Sequence, residues 1–429
     1  MKNEQIIEIL ESWNFWNKDL DVGIPRNNYL HKLLSLIKTQ QIIAITGVRR
    51  SGKSTLMKQL VKRLIGQGQE KTSFIYINFE EPKFADLLSV EFLQQIYEAY
   101  LEILKPKTPP YILLDEIQRI PEWERFVRAI HEKKEAHIIV SGSTSQLLSK
   151  EIGSLLTGRW VNLRINPLNF PEFLNFNKIK IEDKKDVLFQ KAKIKRFLRE
   201  YLEFGGFPLV VLNQEKKEIL QRYFDDILGR DIVERYKIRK PEKLKILAKY
   251  YLTNFSSTTT FRSIAKFIGL SLDSVERFSY LLAETYLIFL VPKFSFSLKE
   301  QEVNPKKAYC IDHGLINIIS FRFSDNIGRL YENMVFLSLL EEKKEVYYYR
   351  DKYECDFIVK EGKEIIQAIQ VSYKVEENKK REIEGLLEAM KKFKLKEGII
   401  ITDDIEMEEE IDKKKIIYIP LWKWILNLR

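Results

Sequence analysis

The chain has 429 residues, too many for one ordinary hydrophobic core, so roughly two to four domains are expected. Its composition, 45% hydrophobic and 12% aromatic, is that of a globular protein; two cysteines, Cys310 and Cys355, exclude a disulfide framework or cysteine zinc site, fit a reducing cytoplasm, and four scattered histidines exclude a histidine metal cluster. The net charge of +10 leaves two readings open, a nucleic-acid partner or solvated faces of interleaved charge such as Glu408-Glu409-Glu410 before Lys413-Lys414-Lys415.

No apolar run has the length of an export signal or membrane span; Tyr280 to Val291 is short and carries Glu284, so no membrane partner is expected. Residues 1–40 read as a helical packing segment, with Trp13, Phe15, Trp16, Pro25, Arg26 and Tyr29, and with Leu33, Leu34 and Ile37 following Tyr29 at helical spacing. Gln41 to Ile45 is a short branched run suited to a buried parallel strand. It leads into Gly47-Val48-Arg49-Arg50-Ser51-Gly52-Lys53-Ser54, a full match to the phosphate-binding loop, and good helix formers continue from Thr55. Glycines let the backbone turn tightly, so that N–H groups and a helix N-terminus face anionic phosphates. ATP is the expected ligand, with Lys53 reaching its β and γ phosphates and Ser54 placing a hydroxyl on Mg²⁺.

A second strand is expected over 73–79, ending near Glu80-Glu81-Pro82. Tyr111-Ile112-Leu113-Leu114-Asp115-Glu116 is an apolar strand closing on paired acids, the Walker B arrangement, in which Asp115 holds the Mg²⁺ shell and Glu116 polarises the attacking water. The strand His137 to Ser141 runs into Gly142-Ser143-Thr144-Ser145. Ser143 there is a candidate γ-phosphate sensor, the alternative being a serine-rich turn that caps the next helix through Thr144 or Ser145. Arg159 is a candidate transition-state cation, acting within the chain or on a neighbouring subunit, or else a structural arginine paired with an acid.

With Leu114-Asp115-Glu116-Ile117-Gln118, Ser141-Gly142-Ser143, Gly158-Arg159 and Pro167-Leu168-Asn169-Phe170-Pro171-Glu172-Phe173 added to the P-loop, the chain resembles the AAA-type P-loop ATPases of archaea and bacteria that carry a C-terminal domain of unknown function with a restriction-endonuclease-like fold. The resemblance spans nearly the whole chain and implies an α/β fold: a parallel-sheet P-loop core, a helical lid, a winged helix-turn-helix and a C-terminal α/β endonuclease-like domain. It implies Ser143 or a neighbour as phosphate sensor, Arg159 as arginine finger, and Asn78 as the residue restraining the catalytic glutamate. In related signalling-type ATPases a Gly-x-Pro lid motif lies against adenine, and Gly206-Phe207-Pro208 is similar to it, so Pro208 joins the nucleotide-binding set.

Asp225 to Tyr236 reads as lid helix, and Phe261 to Gly269 with Ser271 to Leu287 as two amphipathic helices before a strand, a winged-helix pattern. Its second helix, with Asp273, Glu276 and Glu284 against Arg277, suits a partner domain better than a phosphate-lined groove, while Lys293, Lys299, Lys306 and Lys307 on the wing keep backbone contact open. The resemblance places Glu332 and Asp356 at two acidic positions of a nuclease site, with Gln370 and Ser372 in the slots of a third acid and a lysine, and strand alternation offers Lys374 as a displaced lysine.

The expected layout is an N-terminal segment 1–40, ATPase core 41–180, lid 181–245, winged helix 246–303 and endonuclease-like domain 304–429, an ATPase whose hydrolysis moves the appended domains on DNA or RNA or on a protein partner, with a homo-oligomer as a further expectation. Two rivals stand beside it, an ATP-gated nuclease and a nucleotide-binding scaffold that does not turn over.

Overall fold

The computed structural model describes residues 1–144, 158–181, 184–319 and 327–427. They form two compact units, Met1–Asn166 and Pro167–Arg429. The N-terminal segment is part of the first unit, and the expected boundary at 180 falls inside the second.

In the first unit, helices α1 (Asn3–Glu11) and α2 (Asn27–Ile37) precede β1 (Ile42–Thr46), α3 (Lys53–Gly66), β2 (Phe74–Asn78), α4 (Val90–Leu104), β3 (Tyr111–Asp115), α5 (Trp123–Lys133), β4 (His137–Gly142) and β5 (Trp160–Arg164). The strands form one parallel sheet in the order β2-β3-β4-β1-β5. Their apolar character follows from burial on both faces. Ile42, Ala44, Ile75, Ile77, Ile112, Leu114, Ile138 and Val140 pack on one side with residues of α1, α4 and α5. The alternate positions Ile43, Ile45, Phe74, Tyr76, Leu113 and Ile139 pack on the other with residues of α2 and α3. The edge strand β2 is covered: Asn14 exchanges side-chain hydrogen bonds of 2.8 and 2.9 Å with the Tyr76 backbone, and Trp16 Nε1 donates to Phe74 O at 2.7 Å. The segment before β1 thus closes a sheet edge that would otherwise be open to pairing.

The second unit begins with α6 (Phe170–Phe176), whose Asn169-Phe170-Pro171-Glu172 start is a reciprocal capping box. Then come α7 (Lys184–Phe204), α8 (Pro208–Leu212), α9 (Lys216–Leu228), a π-helical turn over Gly229–Glu234 and α10 (Pro241–Thr253). The chain continues through β6 (Ser257–Thr259), α11 (Phe261–Ile268), α12 (Leu272–Glu284), β7 (Ile288–Pro292), α13 (Leu298–Val303), β8 (Lys306–Cys310) and α14 (His313–Ile319). Thr260 and Ser271 cap α11 and α12, and Gly269 at φ +70° ends the first, which explains the break read from the sequence. β8, assigned to the C-terminal domain by the expected boundary at 304, is the middle strand of the antiparallel sheet β6-β8-β7.

A six-stranded sheet follows, built from α15 (Ile327–Glu341), β9 (Glu345–Arg350), β10 (Glu354–Glu361), β11 (Glu364–Val371), α16 (Val375–Lys392), β12 (Glu397–Thr402), β13 (Met407–Ile411), β14 (Lys414–Pro420) and α17 (Leu421–Ile425). Its order is β13-β14-β12-β11-β10-β9, with β9, β10 and β11 antiparallel and β11, β12 and β14 parallel. Ile358, Ala368, Ile400 and Tyr418 face Leu386, Ala389 and Met390 of α16 across its core.

Gly205-Gly206 before Pro208 is a site of close approach. Gly205 holds φ +75°, and a Cβ on Gly206 would lie 2.1 Å from Leu168 O. Gly206→Ala is therefore expected to cost about 1–3 kcal/mol, read as a lower urea midpoint with an unchanged m-value.

Candidate nucleotide site

β1 delivers the chain at Thr46 into the loop 47–52, and α3 starts at Lys53. Gly47 has φ +145°, and a Cβ there would meet Ile165 O at 2.0 Å; Gly52, at φ +99°, is the N-cap of α3. Both glycines are thus required sterically. Lys53 folds back over the loop, its Nζ donating to Gly47 O at 3.0 Å and Val48 O at 3.3 Å. Arg49 pairs with Glu80 at 3.0 Å, Arg50 takes the left-handed conformation, and Ser51 Oγ is buried without a hydrogen-bond partner among the described residues. Ser54 is half-buried and Thr55 exposed at the start of the helix.

The buried Arg26 holds this loop from behind: its Nη1 donates to Ser51 O at 3.0 Å and Asn166 O at 2.8 Å, and its guanidinium lies 4.5 Å from the Tyr29 ring centroid. In sequence Arg26 reads only as part of a packing segment. A lone arginine in an apolar segment was the available signal.

Asp115 ends β3, and Glu116 turns away from the strand at φ +56°. Ser141 Oγ donates to Asp115 Oδ1 and accepts from the Glu116 N–H at 3.2 Å. Tyr76 Oη donates to the other Asp115 oxygen at 2.5 Å and is also hydrogen-bonded to Ser54. The hydroxyl and the carboxylate expected to share a metal therefore converge on one tyrosine oxygen. Burial, then the neighbouring Asp115, pushes the Tyr76 phenol well up. Glu116 accepts from Gln118 Nε2 at 2.5 Å and stands 3.9 Å from Lys53 Nζ; burial raises its pKa against the pull of Lys53. Tyr76, Ser141 and Gln118 were not singled out from sequence, because strand alternation alone does not say which polar side chain meets which. Asn78 accepts from the Glu80 N–H at 2.9 Å, and Gln118 and Lys53 are the neighbours of the glutamate's carboxylate.

Ser143 is buried just beyond β4, and Ser145 lies outside the described residues. Arg159 is not at the phosphate loop. Its carbonyl accepts from the Ile42 N–H at 2.9 Å and its side chain meets Glu132 at 3.3 Å. β1 and β5 run parallel with Ile42 opposite Trp160 and Thr46 opposite Arg164, so Arg159 stands at the far edge of the sheet. At about 3.3 Å per residue the separation is roughly 16 Å, too far for action on this chain's own loop. Pro208 opens α8 in the second unit, after the Gly206 N–H donates to Asp312 at 2.7 Å.

The residues at the loop suit a triphosphate with its Mg²⁺. Gly47 and Gly52 keep side chains off the cradle, the Ser51 hydroxyl has no partner among the described residues, and Ser54 and Asp115 offer the hard oxygens that Mg²⁺ prefers.

Within the second unit, Glu332, Asp356 and Gln370 come together, all buried. Asp356 accepts from the Val371 N–H at 3.0 Å and donates its own N–H to Gln370 Oε1 at 3.1 Å, while Gln370 Nε2 donates to Glu382. A glutamate at 370 could not make that last donation. Lys374 is exposed ahead of α16, because β11 ends at Val371 and its alternation does not extend that far. The cation among the acids is Lys307, whose Nζ lies 3.0 Å from Glu332, 2.8 Å from Glu354 and 2.9 Å from Asp356. Burial opposes its charge, and Asp356, Glu332 and Glu354 outweigh burial, holding the ammonium protonated well above the usual range. Lys306 and Lys307, read from sequence as wing residues for a nucleic-acid backbone, are only 8% and 2% exposed.

Ser141→Ala is expected to cost about 1–3 kcal/mol, since it strips a donor from buried Asp115 and orphans the Glu116 N–H. Chemical denaturation against Ser141→Thr, which retains the hydroxyl, checks this.

Residues 39–174 match an AAA domain family, 195–326 the domain of unknown function DUF8612, and 327–424 the domain of unknown function DUF4143. The chain is similar to the solved Walker-type ATPase PABY2304 of Pyrococcus abyssi at 14% identity, covering 69% of this chain and 96% of that one with a TM-score of 0.43. It is 30% identical to an uncharacterized protein of Haemophilus influenzae, over 93% of this chain and 98% of the relative. It is 34% identical to the uncharacterized protein MJ1544 of Methanocaldococcus jannaschii, over 98% of this chain and 93% of the relative. The chain belongs to the family of these two proteins, and its first unit carries an AAA domain.

Proposed function

We infer that the protein is a Mg²⁺-dependent ATPase. The observation that carries this reading is the convergence of Lys53, Ser54, Asp115 and Glu116 on one glycine-walled loop. Bound Mg²⁺, held by Ser54 and Asp115, would neutralise phosphate charge as it develops. Lys53 exchanges its loop carbonyls for phosphate oxygens, and Glu116, aligned by Gln118, orients and deprotonates the attacking water. Ser143 senses the γ-phosphate from the strand end. Arg159, at the far edge of its own sheet, serves a neighbouring copy, which makes a homo-oligomer the working form. We keep Pro208 of the Gly-x-Pro segment in the nucleotide-binding set, and hydrolysis drives a conformational switch of the appended modules.

The element order α10-β6-α11-α12-β7-α13-β8 supports a winged-helix module. Glu284 of its second helix accepts from Tyr236 at 2.8 Å, which supports packing rather than groove reading. The antiparallel β10-β11 pair followed by parallel β12 and β14 supports an endonuclease-like core. With an amide at 370 and no lysine beside it on β11, we read that core as a non-cleaving module for DNA or RNA.

Steady-state ATP hydrolysis with Mg²⁺, with and without DNA, tests the reading. Lys53→Ala should lose ATP binding. Glu116→Gln should bind ATP and lose about 10²–10⁴-fold in turnover; retained turnover in that variant refutes the role of Glu116, and ATP binding with negligible turnover in the wild type, unchanged by Glu116→Gln, overturns the ATPase assignment. Arg159→Ala should be inactive alone and regain part of its turnover when mixed with Lys53→Ala, because each supplies what the other lacks; no recovery refutes action between copies.

A further inference from the structure

The acidic pocket of the second unit already contains a cation, and it is part of the chain. Three carboxylate oxygens from α15 and β10 converge on one nitrogen at 2.8–3.0 Å. Lys307 is 2% exposed, and its strand belongs to the other sheet of the unit, the small antiparallel one. Glu332 also accepts from Tyr309 Oη at 2.7 Å, so the carboxylate is held by two residues of the same face of β8. Among the described residues no group of three acidic, histidine or cysteine side chains is disposed to hold a metal ion. In this corner the lysine supplies the reason.

We propose that Lys307 is a built-in counter-ion that keeps the Glu332–Glu354–Asp356 pocket closed to divalent metal. An ammonium carries three N–H donors; here it donates hydrogen bonds to Glu332 and Asp356, and the Glu354 carboxylate closes the site as an ion pair at 2.8 Å. A divalent ion needs the same oxygens a few tenths of an ångström nearer, at about 2.0–2.6 Å, with the centre of the pocket empty. Both cannot be seated together. Gln370 offers an amide and not an anionic ligand, and Lys307 occupies the centre of the pocket, so two independent features disfavour a metal there. The lysine also fastens β8 to α15 and β10, tying the two sheets of this unit at one point.

This deepens the non-cleaving reading of the C-terminal module and rests on it. The test counts Mn²⁺ bound to the nucleotide-free full chain by electron paramagnetic resonance, so that the P-loop background is common to every variant. Lys307→Ala should gain one Mn²⁺, bound at least about tenfold more tightly than any background in the wild type. Lys307→Arg should gain none, and Lys307→Ala with Asp356→Asn should lose the new site. In parallel, Mn²⁺ should raise the melting temperature of Lys307→Ala and leave that of the wild type unmoved. Where Lys307→Ala does not fold without metal, Lys307→Ala with Glu354→Gln, which buries one negative charge fewer, takes its place in the same count. Folded variants without a gained ion overturn the proposal and leave the non-cleaving reading standing. Mn²⁺ bound equally by the wild type at these carboxylates, or metal-dependent nicking of DNA by the wild type, overturns both.

Discussion

Two adjacent carboxylates buried at the end of an apolar strand are the constraint on which the first unit turns. Asp115 and Glu116 are 1% and 8% exposed, and neither could remain there unmatched, since an unpaired buried charge is costly. The sheet resolves this by setting β2 and β4 on either side of β3, so that Tyr76 and Ser141 reach Asp115 from both neighbours. The left-handed turn at Glu116 sends the second carboxylate the other way, toward Lys53. The strand order thus does electrostatic work as well as packing.

The N-terminal segment belongs to the same solution. Asn14 and Trp16 complete the hydrogen bonding of β2, the strand that carries Tyr76, and Arg26 braces the phosphate loop through Ser51 O. All three residues fix the backbone from which the contacting groups project, so the segment before β1 is a structural partner of the site.

The second unit meets the same problem with a different answer. Glu332, Glu354 and Asp356 are matched by an ammonium rather than by hydroxyls, and Gln370 joins the Asp356 backbone to Glu382 through both ends of one amide. Two acidic pockets in one chain therefore differ in kind: one faces a glycine cradle, the other is filled from within.

The phosphate loop, the apolar strands and the acids at the end of β3 were legible in the sequence because each depends on local order: a glycine spacing, a branched run, a charge after that run. The helix pair around Gly269 and the capping box at Asn169 were legible for the same reason, since caps act within one turn. What lies between strands was not. Ser141 and Tyr76 are polar positions in apolar runs, and only the order β2-β3-β4 brings them to Asp115. Arg159 sits about a hundred residues after the loop, yet its distance from it is set by the register of β5 on β1. Lys307 looked like a wing lysine until the small sheet turned its strand inward, while Lys374 was advanced by an alternation that β11 does not sustain. The sequence by itself determined which chemistry the first unit is equipped for, because that motif is contiguous. Only the tertiary structure decided which acids have partners and which cation fills the second pocket, because those contacts join residues tens of positions apart whose meeting is fixed by strand order and register.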